Sequence, residues 1–413
     1  MTQIYEEWQQ VDAERIIESL RAGVPIPDLA QKLPSGRHGL LEHVGDMLRT
    51  GRGSPLIVRA NYGDGKTHFL QTIAGLALQE GHAVSMVSVS REAPLNNLGQ
   101  LFGAVAAGTR IPGSKRTGLA PLLDQLQGRG LEVVKQLEAA GIPERLRVPV
   151  EAYLSAEMTH RDELLADISG QWLLVSRLQK ILRDRGLTYR MAKYTMARDP
   201  IWLYHLLAEL VKIAGLKGWL IVLDELELIG KTSIKARADA YSHLYTLSMG
   251  HELPRTVIVG AVASNYYSDV LEERNDAVRA PAWYDTRGHV EIADVVRRGI
   301  EQFVRADRLP TLSPDEMHTL LATVRSVHGI AYSWEPPPLD EMEAFLRRHV
   351  KGADEKLRTR IRMAVQWLDV WHQHKEEPDV VVWSFGEVDL TETDEPAPGG
   401  DDDNGPVTRQ RLF

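Results

Sequence analysis

Gly63, Gly65, Lys66 and Thr67 are spaced for phosphate chemistry. They sit in the run PLIVRANYGDGKTH, residues 55–68. An apolar stretch (Leu56, Ile57, Val58) enters the glycine turn, and a helix-compatible segment, 68–79, leaves it. Backbone N–H groups of such a turn converge at a helix N-terminus and carry partial positive charge, a seat for the β-phosphate of a nucleotide. In that reading Asn61, Tyr62, Gly63, Asp64, Gly65, Lys66, Thr67 and His68 surround the phosphates. Lys66 reaches the β- and γ-phosphates, and the Thr67 hydroxyl ligates Mg²⁺. The run departs from G-x-x-x-x-G-K-[ST] at its first position, where Ala60 replaces glycine and adds a Cβ at the strand exit. Asp64 adds an acid within the turn. The competing reading is a glycine-rich turn with a chance Gly-Lys-Thr.

A second group lies far along the chain in GWLIVLDELELIG, residues 218–230. Its apolar run, Trp219 to Leu223, reads as a strand buried on both faces of a parallel sheet. The run ends in Asp224 and Glu225, and the C-terminal ends of such strands are where open α/β sheets bind ligands. Asp224 would complete the Mg²⁺ shell, and Glu225 would polarise the attacking water. The plainer alternative is an acidic helix start favoured by the helix dipole. A further buried strand, 256–262, leads to Asn265, the candidate for positioning the lytic water. An asparagine that ends a strand by bonding its own turn is the alternative.

These residues need a parallel sheet to bring them together, and the rest of the chain supplies one. Residues 83–90 alternate like a strand, and 98–106 return to a helical pattern. Residues 109–215 open with a basic, loop-like piece and continue as helical runs without clear strands. That interval exceeds a simple crossover, so it reads as a helical insertion. Residues 266–288 look loop-like and carry Arg274, Arg279 and Arg287, any of which could complete a neighbouring subunit's site. A short last strand is expected at 289–292. Ser313-Pro314-Asp315-Glu316 is a helix start with a capping box. The last helix carries Arg358, Arg360 and Arg362, one of which could reach the γ-phosphate, although a solvated basic face also explains them.

The expected organisation is a helical preface (1–55), a first core segment (56–108), the insertion (109–215), a second core segment (216–293), a C-terminal helical lid (294–375) and an acidic, mostly disordered tail (376–413). The net charge of −9 belongs to that tail. It holds eleven acids and two bases; 57 acids less eleven and 48 bases less two leave 46 of each in residues 1–375. Within the tail, 380–385 (VVVWSF) could add a strand, and the terminal TRQRLF could be a short docking peptide. Charge therefore neither indicates nor excludes a nucleic-acid partner. The absence of cysteine excludes disulfides, zinc-thiolate sites and thiol nucleophiles. No stretch is apolar enough to span a membrane, and the polar, acidic N-terminus is unlike a signal peptide, so a cytoplasmic protein is expected. No H-E-x-x-H, G-x-S-x-G or solenoid repeat occurs.

Taken together, four segments resemble the BREX-system ATP-binding domain family, AAA+-like P-loop ATPases of bacterial and archaeal phage-defence loci. They are RIIESLRAGVP (15–25), NYGDGKTHFLQ (61–71), VSVSREAPLNNLGQLF (87–102) and LIVLDELELI (220–229). The resemblance covers about residues 10–375. It implies roles for Lys66, Thr67, Asp224 and Glu225 matching those above, ATP and Mg²⁺ as ligands, and work on DNA beside a methyltransferase, a phosphatase-like protein or a helicase. A homo-oligomer is also open.

The reading is an α/β, AAA+-like ATPase that hydrolyses ATP with Mg²⁺, with Lys66, Glu225 and Asn265 at the reaction centre. Its alternative is an ATP-dependent scaffold or DNA-loading switch of the transposition- or replication-loader type with little turnover.

Overall fold

Apolar runs too short for helices and bounded by glycine, proline or polar turns become strands here. The computed structural model describes residues 9–23, 26, 29, 32–51, 55–155, 160–184, 200–250, 253–350 and 356–375. The acidic tail, with its VVVWSF and TRQRLF stretches, lies outside them.

Helices α1 (Gln10–Ala22) and α2 (His38–Thr50) precede β1 (Leu56–Ala60). Next come α3 (Lys66–Gln79), β2 (Ala83–Ser88), α4 (Leu98–Ala107) and the two-residue β3 (Thr109–Arg110). The interval before β4 then holds α5 (Ala120–Gln125), α6 (Gly130–Ala139), α7 (Glu144–Leu154), α8 (Arg161–Ile168), α9 (Val175–Asp184) and α10 (Ile201–Ile213). Strand β4 (Trp219–Asp224) is followed by α11 (Ile234–Tyr245) and β5 (Thr256–Ala263). The remainder is α12 (Asp276–Asp285), α13 (Val290–Val304), β6 (Asp307–Arg308), α14 (Pro314–Tyr332), α15 (Leu339–His349) and α16 (Leu357–His374).

Among the described residues the strands form one six-stranded sheet, β3-β2-β4-β5-β1-β6. Only the β2–β3 pairing is antiparallel. A mostly parallel sheet needs covering on both faces, and side-chain alternation supplies two cores. Leu220 and Val222 of β4 meet α2 and α3 on one face, while Trp219, Ile221 and Leu223 meet the helices of the 109–215 interval on the other. A third core joins α1, Leu29 and Leu33 to α14, α15 and α16, so the two ends of the described chain pack together. The fold is mixed α/β, a mostly parallel sheet covered by helices on both faces.

Three sequence expectations are corrected. The basic loop at 109 begins as strand β3, because the buried Thr109 hydroxyl bonds both Ser85 (2.7 Å) and the Val105 carbonyl (2.7 Å). Residues 266–288 are largely helical rather than loop-like. Their polar EERND run conceals Asp276, which is fully buried and held by the Arg237 guanidinium at 2.6 and 2.8 Å. Residues 289–292 open α13 and are not a strand. Val290 and Ile292 are exposed, while Ala293, Val296, Ile300 and Phe303 recur at helical spacing and are buried. Gly299 lets that helix approach α11; a Cβ there would stand 2.0 Å from the Tyr241 carbonyl oxygen.

Candidate active site

The glycine turn begins where β1 leaves the sheet. Gly63 and Gly65 take left-handed backbone angles (φ 89° and 86°), which side chains rarely adopt. Ala60 is still within β1, paired in register with Ala263, and its methyl is buried in the core beneath α3. The Cβ that departs from the glycine pattern thus points into packing rather than into the turn.

The turn is braced from outside. Asp64 Oδ2 accepts from the Asn61 N–H at 3.0 Å. Arg37, almost fully buried, donates from Nη2 to the Asp64 carbonyl at 2.7 Å and from Nε to the Pro310 carbonyl at 2.9 Å. Burial pushes the Arg37 guanidinium down to about 10, with Glu316 and Asp64 opposing that shift. The backbone N–H of Arg358, at the start of α16, donates to the Gly63 carbonyl at 3.0 Å. The Leu357 side chain would stand 3.1 Å from a Cβ at Gly65.

Lys66 opens α3 and is buried, its Nζ donating to the Ala60 and Asn61 carbonyls at 3.1 Å each. Desolvation lowers its affinity for the proton, against the pull of Glu227 and Asp224. Thr67 Oγ1 donates to Asp224 Oδ2 at 2.8 Å across 157 residues of sequence. Asp224 Oδ1 accepts from the Glu225 N–H at 2.9 Å. Burial raises the Asp224 carboxyl above its ordinary range, and the Thr67 bond opposes this. Glu225 is exposed, sits in left-handed backbone (φ 58°), and accepts from the Ser88 hydroxyl at 2.6 Å.

These residues share one cleft of about 1160 Å³, open mouth included. Its polar end holds Lys66, Thr67, Asp224, Glu225, Glu227 and Arg358. Its other end is apolar, formed by Ile16, Leu20 and Gly23 of the α1 region, Leu29 and Leu33, and Leu357 and Ile361 of α16. Tyr62, Gly63, Gly65 and His68 also line it. Burial and the neighbouring Arg37 push His68 down to about 4, so it is neutral at pH 7.

Asn61 and Asp64 serve the turn's own bonding instead of lining the cleft. Asn265 does not line it either; it is exposed and its amide donates to Asp269 at 3.3 Å. Arg274 donates to the Gly230 carbonyl at 2.6 Å, and Arg279 and Arg287 are exposed. Sequence reading passed over Arg37, Ser88 and Glu227. Glu227 had a signal, being the next acid but one in the DELE run; the others had none. Among the described residues no group of three His, Asp or Glu side chains is placed to hold a metal. No helix there is long and apolar enough to cross a membrane.

A family model described as BREX system ATP-binding protein BrxC/D matches residues 9–164 and 131–382. The two stretches overlap and together run from just before α1 to beyond α16. No curated protein and no solved structure matches the chain.

Proposed function

We propose, from the premise that this chain belongs to the BREX system ATP-binding protein BrxC/D family, that its cleft binds Mg·ATP and hydrolyses it to ADP and phosphate. The family makes the protein an ATP-binding component of phage defence. Hydrolysis, the metal and the residue roles are our reading. The observation that carries it is the Thr67–Asp224 hydrogen bond, which sets the start of α3 and the end of β4 around one point beside Lys66.

In this reading the apolar end takes the base, and the turn's N–H groups and Lys66 take the phosphates. Thr67 and Asp224 fit a magnesium ion, since both offer hard oxygens at one place (2.8 Å apart), as a small cation shared with phosphates requires. When bound, the ion would neutralise charge on the β- and γ-phosphates. Glu225 leaves Ser88 and orients a water toward the γ-phosphate, accepting its proton. Arg358 leans over the same end from α16 and stabilises charge on the transferring group. Asn265, bonded to Asp269, takes no direct step. The architecture is then an AAA+-like core with an insertion at 109–215 and a lid formed by 294–375.

Steady-state phosphate release with Mg²⁺ tests this. Lys66→Ala should abolish nucleotide binding. Glu225→Gln should bind ATP but lose about 10²–10⁴-fold in rate. Turnover in Glu225→Gln equal to wild type would remove Glu225 from the mechanism.

One observation favours a second reading, an ATP-dependent scaffold or DNA-loading switch with little turnover. Glu225 is held off the cleft's centre by Ser88. Phosphate release measured with and without duplex DNA separates the two. Equal, negligible rates with ATP bound would favour the switch. Oligomerisation and the other defence proteins enter as partners only in such an assay.

A further inference from the structure

Two residues of the cleft, Tyr62 and Glu227, have no part in the steps above, yet they share it with the lysine. The Tyr62 ring lies over Lys66 Nζ, 4.8 Å from centroid to nitrogen. Its hydroxyl lies near the Glu227 carboxylate, whose charge together with burial raises the phenol's proton affinity. Glu227 Oε2 also accepts from the backbone N–H of Ala263, the last residue of β5, at 3.0 Å. Glu227 is half-buried and lines the cleft. Ala263 pairs in register with Ala60, whose carbonyl accepts from Lys66 Nζ, so the carboxylate and the ammonium are held at neighbouring strand ends.

This places a negative charge on the wrong side for a site that must receive phosphates. The turn's N–H groups at the start of α3 face the β-phosphate. The next phosphate lies beyond Lys66, toward the ends of β4 and β5, where Glu227 is anchored. As it stands, the arrangement is self-consistent. Lys66 is buried, and its charge is answered by two carbonyls, an aromatic face and a nearby carboxylate. A third phosphate would compete for the same ammonium and repel the carboxylate.

We propose that Glu227, anchored on the Ala263 N–H, is the counter-ion of Lys66 in the empty and diphosphate-bound site and is displaced by the third phosphate. It acts as a positioning residue that sets how strongly the protein distinguishes ATP from ADP. The proposal rests on the nucleotide-binding reading above. Because the carboxylate is bonded to Ala263, the discrimination is tied to the end of β5 and not to the turn alone.

The test is titration calorimetry of the full chain with Mg²⁺, using AMP-PNP as a non-hydrolysed triphosphate and ADP as the diphosphate. Glu227→Gln keeps an acceptor for the Ala263 N–H but removes the charge. It should tighten AMP-PNP about tenfold while changing ADP by less than about twofold. Tyr62→Phe keeps the ring over Lys66 and removes the hydroxyl near Glu227; it should shift the ratio the same way by a smaller factor. Thermal melting checks that both variants fold, and a Glu227→Gln chain that does not fold leaves Tyr62→Phe to decide. An equal shift for both nucleotides, no shift, or weaker AMP-PNP binding overturns the role of Glu227. Failure of the wild-type chain to bind either nucleotide overturns the nucleotide reading itself, and this proposal with it.

Discussion

Replacing Ser88 with alanine should speed ATP hydrolysis. The Ser88 hydroxyl donates to Glu225 Oε2 at 2.6 Å. Ser88 ends β2 in register with Asp224, so the hydroxyl stands one strand away from the acid pair. Glu225 also sits in left-handed backbone, φ 58°, a conformation costing a non-glycine residue on the order of 1 kcal/mol. Backbone and hydroxyl together hold the carboxylate toward β2. To act on a water beside the γ-phosphate it must break that bond. Glu225 is solvent-exposed, so the net worth of the bond is modest, about 1 kcal/mol. At room temperature that corresponds to about a fivefold change in the population of free carboxylate. Turnover of Ser88→Ala at saturating Mg·ATP should rise by about that factor, with KM little changed. Ser88→Thr, which keeps a hydroxyl, should stay near wild type. The assay is steady-state phosphate release. A Ser88→Ala rate equal to or below wild type would refute the holding role, and so would a gain that survives the added Glu225→Gln change.

Arg37→Ala should destabilise the fold by about 2–3 kcal/mol in urea titration, because it removes a buried guanidinium that is the shared donor to the buried Ser35 carbonyl and to the Asp64 and Pro310 carbonyls. Arg37→Lys should not rescue it, since one ammonium cannot span three carbonyls as the planar fork does. The His68 side chain is pushed down to about 4 in the fold, against 6.5 when unfolded. Its stabilisation is therefore complete above about 6.5 and lost as pH falls toward about 4. His68→Gln should flatten the acid limb of a urea-stability profile measured over that window; an unchanged limb would count against the burial argument.

How much of this was legible in the sequence follows the range of the interactions. Strand β4 was legible because burial on both faces leaves only apolar residues from Trp219 to Leu223. The capping box at Ser313 was legible because Ser313 and Glu316 bond each other's backbone within one turn. The turn at Gly63 and Gly65 was legible because only glycine tolerates those angles cheaply. Helix α12 was not, since what makes Asp276 a core residue is Arg237, 39 positions away. Arg37 could not be singled out for the same reason: its partners lie at 35, 64 and 310. The strand misread at 289–292 has another cause. Four residues of alternating pattern carry less information than the four-turn period of α13, which extends past them to Phe303.

The apolar end of the cleft follows the same logic of long-range contacts. Its walls come from α1 and α16, which are remote in sequence and adjacent in the third core. Arg21 of α1 binds Asp369 of α16 through two bonds, 3.0 and 2.7 Å, and His328 bonds the same carboxylate at 3.0 Å. That pairing holds Ile16, Leu20 and Gly23 against Leu357 and Ile361 across the cleft. A nucleotide seated there would contact α1, the glycine turn and α16 at once. By linkage, whatever it gains from α1 and α16 it returns as stabilisation of their packing. In this protein the cleft is thus a joint between the sheet and a helical unit built from both ends of the described chain. Nucleotide occupancy would set how firmly that joint is closed.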